Sequence, residues 1–103
     1  MKGNTMSNAP VEMKLVHMVQ QDEHDVFSGM DTIGYKFFPD KESAIKFAIA
    51  YNKKHNNQKE VPDYYITMGY VGYEHVTKEV FELHKATAEE IGITQEWDWY
   101  SNM

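Results

Sequence analysis

The stretch from Thr32 to Tyr73 constrains the fold of this chain most. A β-forming run ends in Tyr35-Lys36-Phe37-Phe38, Pro39-Asp40 interrupts it, a helix-periodic segment follows, and a second aromatic run of β-formers closes the stretch. Proline cannot donate to a strand ladder, and the aspartate after it can accept hydrogen bonds from first-turn amides that lack partners inside a helix. Glu42 adds negative charge at the positive end of the helix dipole. Ala44, Phe47, Ala48 and Tyr51 recur at the i, i+3, i+4, i+7 spacing of one helical face, and Ile45 and Ile49 widen that stripe. The pattern predicts strand, capped helix over Lys41 to Lys53, strand, with the apolar stripe laid on the sheet.

The flanking segments extend this unit. Val11 to Val19 places Met13, Leu15, His17 and Val19 on one side of an extended chain, which predicts a first strand with an apolar face. The polar run Gln20 to Asp25, with Ser28-Gly29 after it, reads as a long hairpin connection to a second strand over Thr32 to Phe38. Asn52 to Glu60, closed by Pro62-Asp63, reads as an exposed loop. The third strand is expected over Tyr64 to Val71, with Tyr64, Ile66, Met68 and Tyr70 toward the helix and Tyr65, Thr67, Gly69, Val71 and Tyr73 on the other face. From His75 to Leu83 an alternating strand competes with a helix over Lys78 to Ile91. Three signals favour the helix: Thr77 as N-cap, Val76 stapled to Phe81, and Gly92-Ile93 as a left-handed cap with its apolar contact.

At 103 residues there is material for one core. The expected architecture is α+β: a three-stranded antiparallel sheet in β-β-α-β order, one helix packed on a face, a second C-terminal helix and an aromatic tail. Residues 1–10 are expected to be a disordered lead-in, 11–93 the single domain, and 94–103 the tail.

Composition excludes several functions. Without cysteine there is no disulfide framework, thiolate metal site or cysteine nucleophile, and the cytoplasm is the default compartment. No run approaches the roughly 20 apolar residues of a membrane span, and residues 1–10 lack the apolar core of a signal peptide, so no membrane partner is expected. A formal net charge of -6 and the absence of arginine speak against direct nucleic-acid binding. Gly69 to Tyr73 is similar to the base-stacking strand of RNA-recognition domains, but Met68 stands where that motif has a basic residue, and a strand of β-formers explains the tyrosines equally well.

Catalytic and metal patterns are equally thin. Asp22, Glu23, His24 and Asp25 are dense in acid but lack the alternating ligand order of a calcium loop, and His75 and Glu79 make no zinc-protease spacing. Neither Ser28 nor Ser43 sits in a nucleophile elbow. No catalytic, cofactor or metal residue is assigned, and the chain is not expected to be an enzyme.

Large amphipathic side chains are the stronger signal. Tyrosine and tryptophan give broad contact area at low entropic cost, and methionine adapts to irregular surfaces. The expected partner-binding residues are Tyr65, Tyr73, Trp97, Trp99 and Tyr100, with the alternative that Trp97 and Trp99 fold back over the open face of the sheet. An exposed sheet edge would also allow a homodimer through strand pairing.

The run from Tyr35 to Ala48, with its flanking strands from Met13 to Tyr73, resembles small accessory proteins of tailed bacteriophages. The resemblance implies a protein that binds and blocks, modifies or shelters a host macromolecule, defence proteins included, in the host cytoplasm; it carries over no residue role. The leading expectation is therefore a non-catalytic protein-binding module, a phage-encoded inhibitor or adaptor acting on a host protein. Two alternatives stand beside it: an acidic nucleic-acid mimic, against which the interspersed lysines count, and a protein that sequesters a small molecule or nucleotide.

Overall fold

The computed structural model describes residues 11–99. The elements are β1 (Lys14–Asp25), β2 (Gly29–Phe38), α1 (Lys41–His55), β3 (Tyr64–Val76) and α2 (Lys78–Glu90). The strands form one antiparallel sheet in the order β2-β1-β3, so the expected α+β architecture with two helices is the one observed.

The helix ends follow the sequence signals. Asp40 Oδ1 accepts from Ser43 N at 2.8 Å, and Thr77 Oγ1 accepts from Val80 N at 3.3 Å. Val76 and Phe81 share a core cluster, as a hydrophobic staple requires. Gly92 has φ of +89°, Ile93 N donates to Ala88 O and Gly92 N to Glu89 O, which is the paired bonding of a glycine-terminated helix.

The hairpin departs from expectation. Gln20 to Asp25 is not a loop: it continues β1, paired on one side with Tyr35 back to Gly29 and on the other with Gly69 back to Tyr64. The turn is only Val26 to Ser28. From His17 to Asp25 the central strand is paired on both sides; Gln20, Asp22 and His24 point to the face left open at this end, while Gln21 is fully buried on the other face with neither amide atom hydrogen-bonded among the described residues.

Two register shifts redirect side chains. Opposite Gln21 and Asp22, the partners jump from Gly34 to Thr32; opposite Met18 and Val19, they jump from Gly72 to Tyr70. The second leaves Val71 as an extra residue in β3, next to Gly72 at φ +118°, a conformation open to glycine and strained for other residues. An extra residue inverts the period-two alternation. Tyr65, Thr67 and Gly69 share one face, but Tyr73 falls on the other, against His17 at 6.0 Å between ring centroids. The expectation that Tyr65 and Tyr73 line one face is thus corrected.

The first face of the sheet is covered by α1. Val19 and Met68 pack there with Ala44, Ala48, Ala88 and Ile93, flanked by Phe38, Phe47, Ile66 and Tyr70. The second face is covered at one end only, by Phe81, Trp97 and Trp99 over Val16, Phe37 and Val76. That cover changes the reading of β1: Val16 is fully buried while Met13 and Leu15 are exposed, the reverse of the expected apolar face at the start of the strand.

Candidate protein-binding face

Strand register defines what the uncovered part of the second face presents. Residues directly opposite share a face, giving the rows Phe37–Met18–Gly72, Tyr35–Gln20–Gly69, Thr32–Asp22–Thr67 and Met30–His24–Tyr65. A Cβ on Gly69 or Gly72 would meet no atom within 4 Å, so the β3 side of this surface is a trough.

A polar network organises the middle. Gln20 Nε2 donates to both carboxylate oxygens of Asp22, at 2.9 and 3.0 Å, and Thr32 Oγ1 donates to Asp22 Oδ1 at 2.8 Å. His24 Nε2 lies 2.8 Å from Thr67 Oγ1, and its ring stacks on Tyr65 with centroids 4.5 Å apart and planes 3° from parallel. These contacts fix the rotamers of residues that would otherwise be free on an open sheet, so the surface is presented in one arrangement.

A hollow lies at each end of the surface. At the hairpin tip a hollow of about 430 Å³ is bounded by His24, Asp25, Val26, Met30, Val61 and Tyr65, among others. Val26 N donates to Asp63 O at 2.9 Å, tying the turn to the loop before β3, and Phe27 N donates to Asp25 Oδ1 at 2.8 Å. Around it the apolar side chains face solvent: Phe27 is 89% exposed, Val61 76%, Val26 66% and Met30 59%. The second hollow, about 380 Å³, lies toward the tryptophans and is lined by Met18, Tyr35, Glu74, His75, Val80 and His84, among others. Burial holds the His84 imidazole below the usual histidine range, and its Nδ1 has no hydrogen-bond partner among the described residues. From Met18 to His24 is six residues of strand, so the hollows lie about 20 Å apart at about 3.3 Å per residue.

Both outer edges of the sheet are occupied by side-chain amides. On β2, Gln95 Nε2 donates to Phe37 O at 2.8 Å and Gln95 Oε1 accepts from Phe37 N at 3.3 Å. On β3, Asn52 Nδ2 donates to Met68 O at 2.7 Å, Asn52 Oδ1 accepts from Met68 N at 3.0 Å, and Asn56 Nδ2 donates to Ile66 O at 2.9 Å. A partner strand would have to displace these groups, so edge pairing is obstructed at Phe37, Ile66 and Met68.

The expected contact residues separate accordingly. Tyr65 lies on the open face at the tip hollow. Tyr73 is exposed, but on the opposite face beside His17. Trp97 and Trp99 are core residues and not exposed contact groups, folded back over the sheet as the alternative reading had them: Trp99 is 2% exposed, and Phe81 meets the two rings edge-on at 5.0 and 5.9 Å. Lys14 Nζ donates to the Trp99 carbonyl and lies over its ring, holding the segment down. Tyr100 lies outside the described residues. Val26, Phe27, Met30 and Val61 carry little signal in the sequence because the polar runs beside them, Gln20 to Asp25 and Asn52 to Glu60, have the composition of solvated loops; the apolar pair Val26-Phe27 within a turn is the one local sign.

No protein-family model, no curated protein and no solved structure matches this chain. The fold and face define a small α+β domain with a half-covered antiparallel sheet. Among the described residues no group of three or more histidine, aspartate or glutamate side chains could hold a metal ion, and no helix is long and apolar enough to cross a membrane.

Proposed function

We propose that the chain is a non-catalytic protein-binding module, an inhibitor or adaptor of the kind its bacteriophage resemblance implies, which engages a host protein through the uncovered sheet face and the hairpin tip. The observation that carries this reading is the contiguous set of solvent-facing apolar side chains at the tip. Val26, Met30 and Val61 border one hollow, and Phe27 stands beside them almost fully exposed. Isolated exposed hydrophobics are ordinary; a cluster rimming a hollow, with carboxylates around it, is the anatomy of an interface core with a polar rim.

Affinity capture from nuclease-treated bacterial lysate tests the reading when the bait is compared with a Phe27→Ser, Val61→Ser double variant. Both side chains contact mainly solvent, so the substitutions leave stability within about 0.5 kcal/mol. A host protein retained by the native chain and lost by the variant supports the module. A partner retained equally by both places the contact elsewhere.

A second reading is favoured by one feature. The hollow beside His84 combines an apolar floor of Met18 and Val80 with Tyr35, Glu74 and a histidine nitrogen that has no hydrogen-bond partner among the described residues, the composition of a small-molecule pocket. Native mass spectrometry of the freshly purified protein tests sequestration: a retained adduct lost in His84→Phe supports it, and an unliganded mass counts against it.

A further inference from the structure

The tip hollow has a chemistry that selects among partners. Its walls are apolar at Val26, Met30, Val61 and Pro62, aromatic at the stacked His24 and Tyr65, and acidic at Asp25 and Asp63. No lysine lines it. From Gln20 to Gly34 the chain has no lysine at all, while it carries Asp22, Glu23, Asp25 and Asp31; from Asn56 to Gly69 it has Glu60 and Asp63 and a single lysine, Lys59. Two of these carboxylates are committed within the protein: Asp22 to Gln20 and Thr32, and Glu23 to the Tyr64 hydroxyl at 2.9 Å. Among the described residues the Asp25 carboxylate is engaged through Oδ1 alone, by the Phe27 amide.

Apolar walls alone would accept any hydrophobic side chain. Carboxylates set beside apolar walls favour a cation whose stem is apolar: the methylenes of lysine or arginine can lie along Val26, Met30 and Val61 while the charged head meets Asp25 and Asp63. An acidic partner segment would instead meet like charge in a partly desolvated site.

Resting on the protein-binding reading above, we infer that the hollow at the hairpin tip receives a lysine or arginine side chain from an apolar-flanked basic segment of the partner protein. The occupant is chosen by charge complementarity. Phe27 and the exposed valines contact the flanking apolar residues of that segment.

The experiment is an amide-shift titration of the full ¹⁵N-labelled chain with three acetylated, amidated pentapeptides that differ only at the centre: Leu-Leu-Arg-Leu-Leu, the same with glutamine, and the same with glutamate. The inference expects the arginine peptide to move the amides of residues 24–29 and 61–65, to bind at least tenfold more tightly than the glutamine peptide, and to lose that preference in Asp25→Asn, Asp63→Asn. The asparagine at 25 keeps an acceptor for the Phe27 amide, and an otherwise unchanged spectrum verifies that the variant is folded.

Equal binding of the arginine and glutamine peptides at the tip overturns the basic-partner inference and leaves the docking surface standing. Binding of the arginine peptide elsewhere also overturns it. No shift at the tip with any of the three peptides counts against both readings. Shifts at the tip that appear on concentrating the protein alone would assign the surface to a second copy of this chain and overturn the inference.

Discussion

Gln95 stands in for a missing strand beside Phe37. Its amide both donates to the Phe37 carbonyl, at 2.8 Å, and accepts from the Phe37 N–H, at 3.3 Å, and it is itself buried. The segment after α2 is thereby fastened along the β2 edge, with the Lys36 ammonium donating to the Thr94 carbonyl and the Lys14 ammonium to the Trp99 carbonyl. The consequence is that strand pairing along the β2 edge is obstructed at Phe37.

Replacing Gln95 by leucine keeps volume but leaves the N–H and C=O of Phe37 without these partners. Each unsatisfied buried group costs about 1–3 kcal/mol, so Gln95→Leu should lower stability by about 2–4 kcal/mol in urea unfolding. A loss below about 0.5 kcal/mol would show that the edge is solvated without Gln95.

Trp97 and Trp99 are core residues, and truncating them opens cavities against Phe81, Phe37 and Val16. Trp97→Ala and Trp99→Ala should each cost about 3–5 kcal/mol. Their effect on any partner should scale with the unfolded fraction, whereas Phe27→Ser should weaken binding with an unchanged unfolding midpoint. The comparison of binding against denaturant midpoint checks this.

Gly34 is confined by α2. A Cβ placed there would lie 2.9 Å from Thr87 Cγ2 and 3.2 Å from the buried Gln21 Oε1. Gly34→Ala should destabilise by about 1–3 kcal/mol, the usual range for overpacking. Adding Thr87→Ser, which removes only the clashing methyl and keeps the hydroxyl bonded to the Leu83 carbonyl, should recover part of the loss in a double-mutant cycle. Additive losses would contradict the contact.

Burial lowers the His84 imidazole below its ordinary value. As pH falls below about 6.5 the unfolded chain therefore takes up this proton before the folded one, and the His84 contribution makes stability decline until the lowered folded value is passed. Asp40 acts in a separate, more acidic window: the Ser43 amide holds its carboxyl below the usual aspartate range, so its stabilisation is lost as pH falls below about 4. His84→Phe retains the edge-on aromatic contacts to Tyr35 and Phe37 and should flatten the pH dependence of the urea midpoint just below about 6.5. An unchanged slope would exclude His84 as its source.

Much of the fold was legible because its signals are local. Pro39-Asp40, Thr77 with Val76 and Phe81, and Gly92-Ile93 each specify a helix end within a few residues, and the observed caps use those groups. What composition obscured was set by long-range pairing. Gln20 to Asp25 looks like a loop until its ladder with both neighbours is known, and the extra residue at Val71 that separates Tyr73 from Tyr65 leaves only Gly72 as a trace in the sequence. The candidate face was least legible: residue type draws attention to Tyr65, but exposure at Val26, Phe27 and Val61 depends on where the turn falls, and the choice between exposed and folded-back positions for Trp97 and Trp99 depends on a face left open by the other elements.

The central claim, that the uncovered face and hairpin tip are the docking surface, is tested most directly by hydrogen exchange on the chain with and without its captured partner. Docking on this surface would slow exchange at residues 20–32 and 61–69 only, an effect abolished when Phe27→Ser, Val61→Ser is used. Protection confined to the outer faces of α1 and α2, around Ile49 and Leu83, would contradict it.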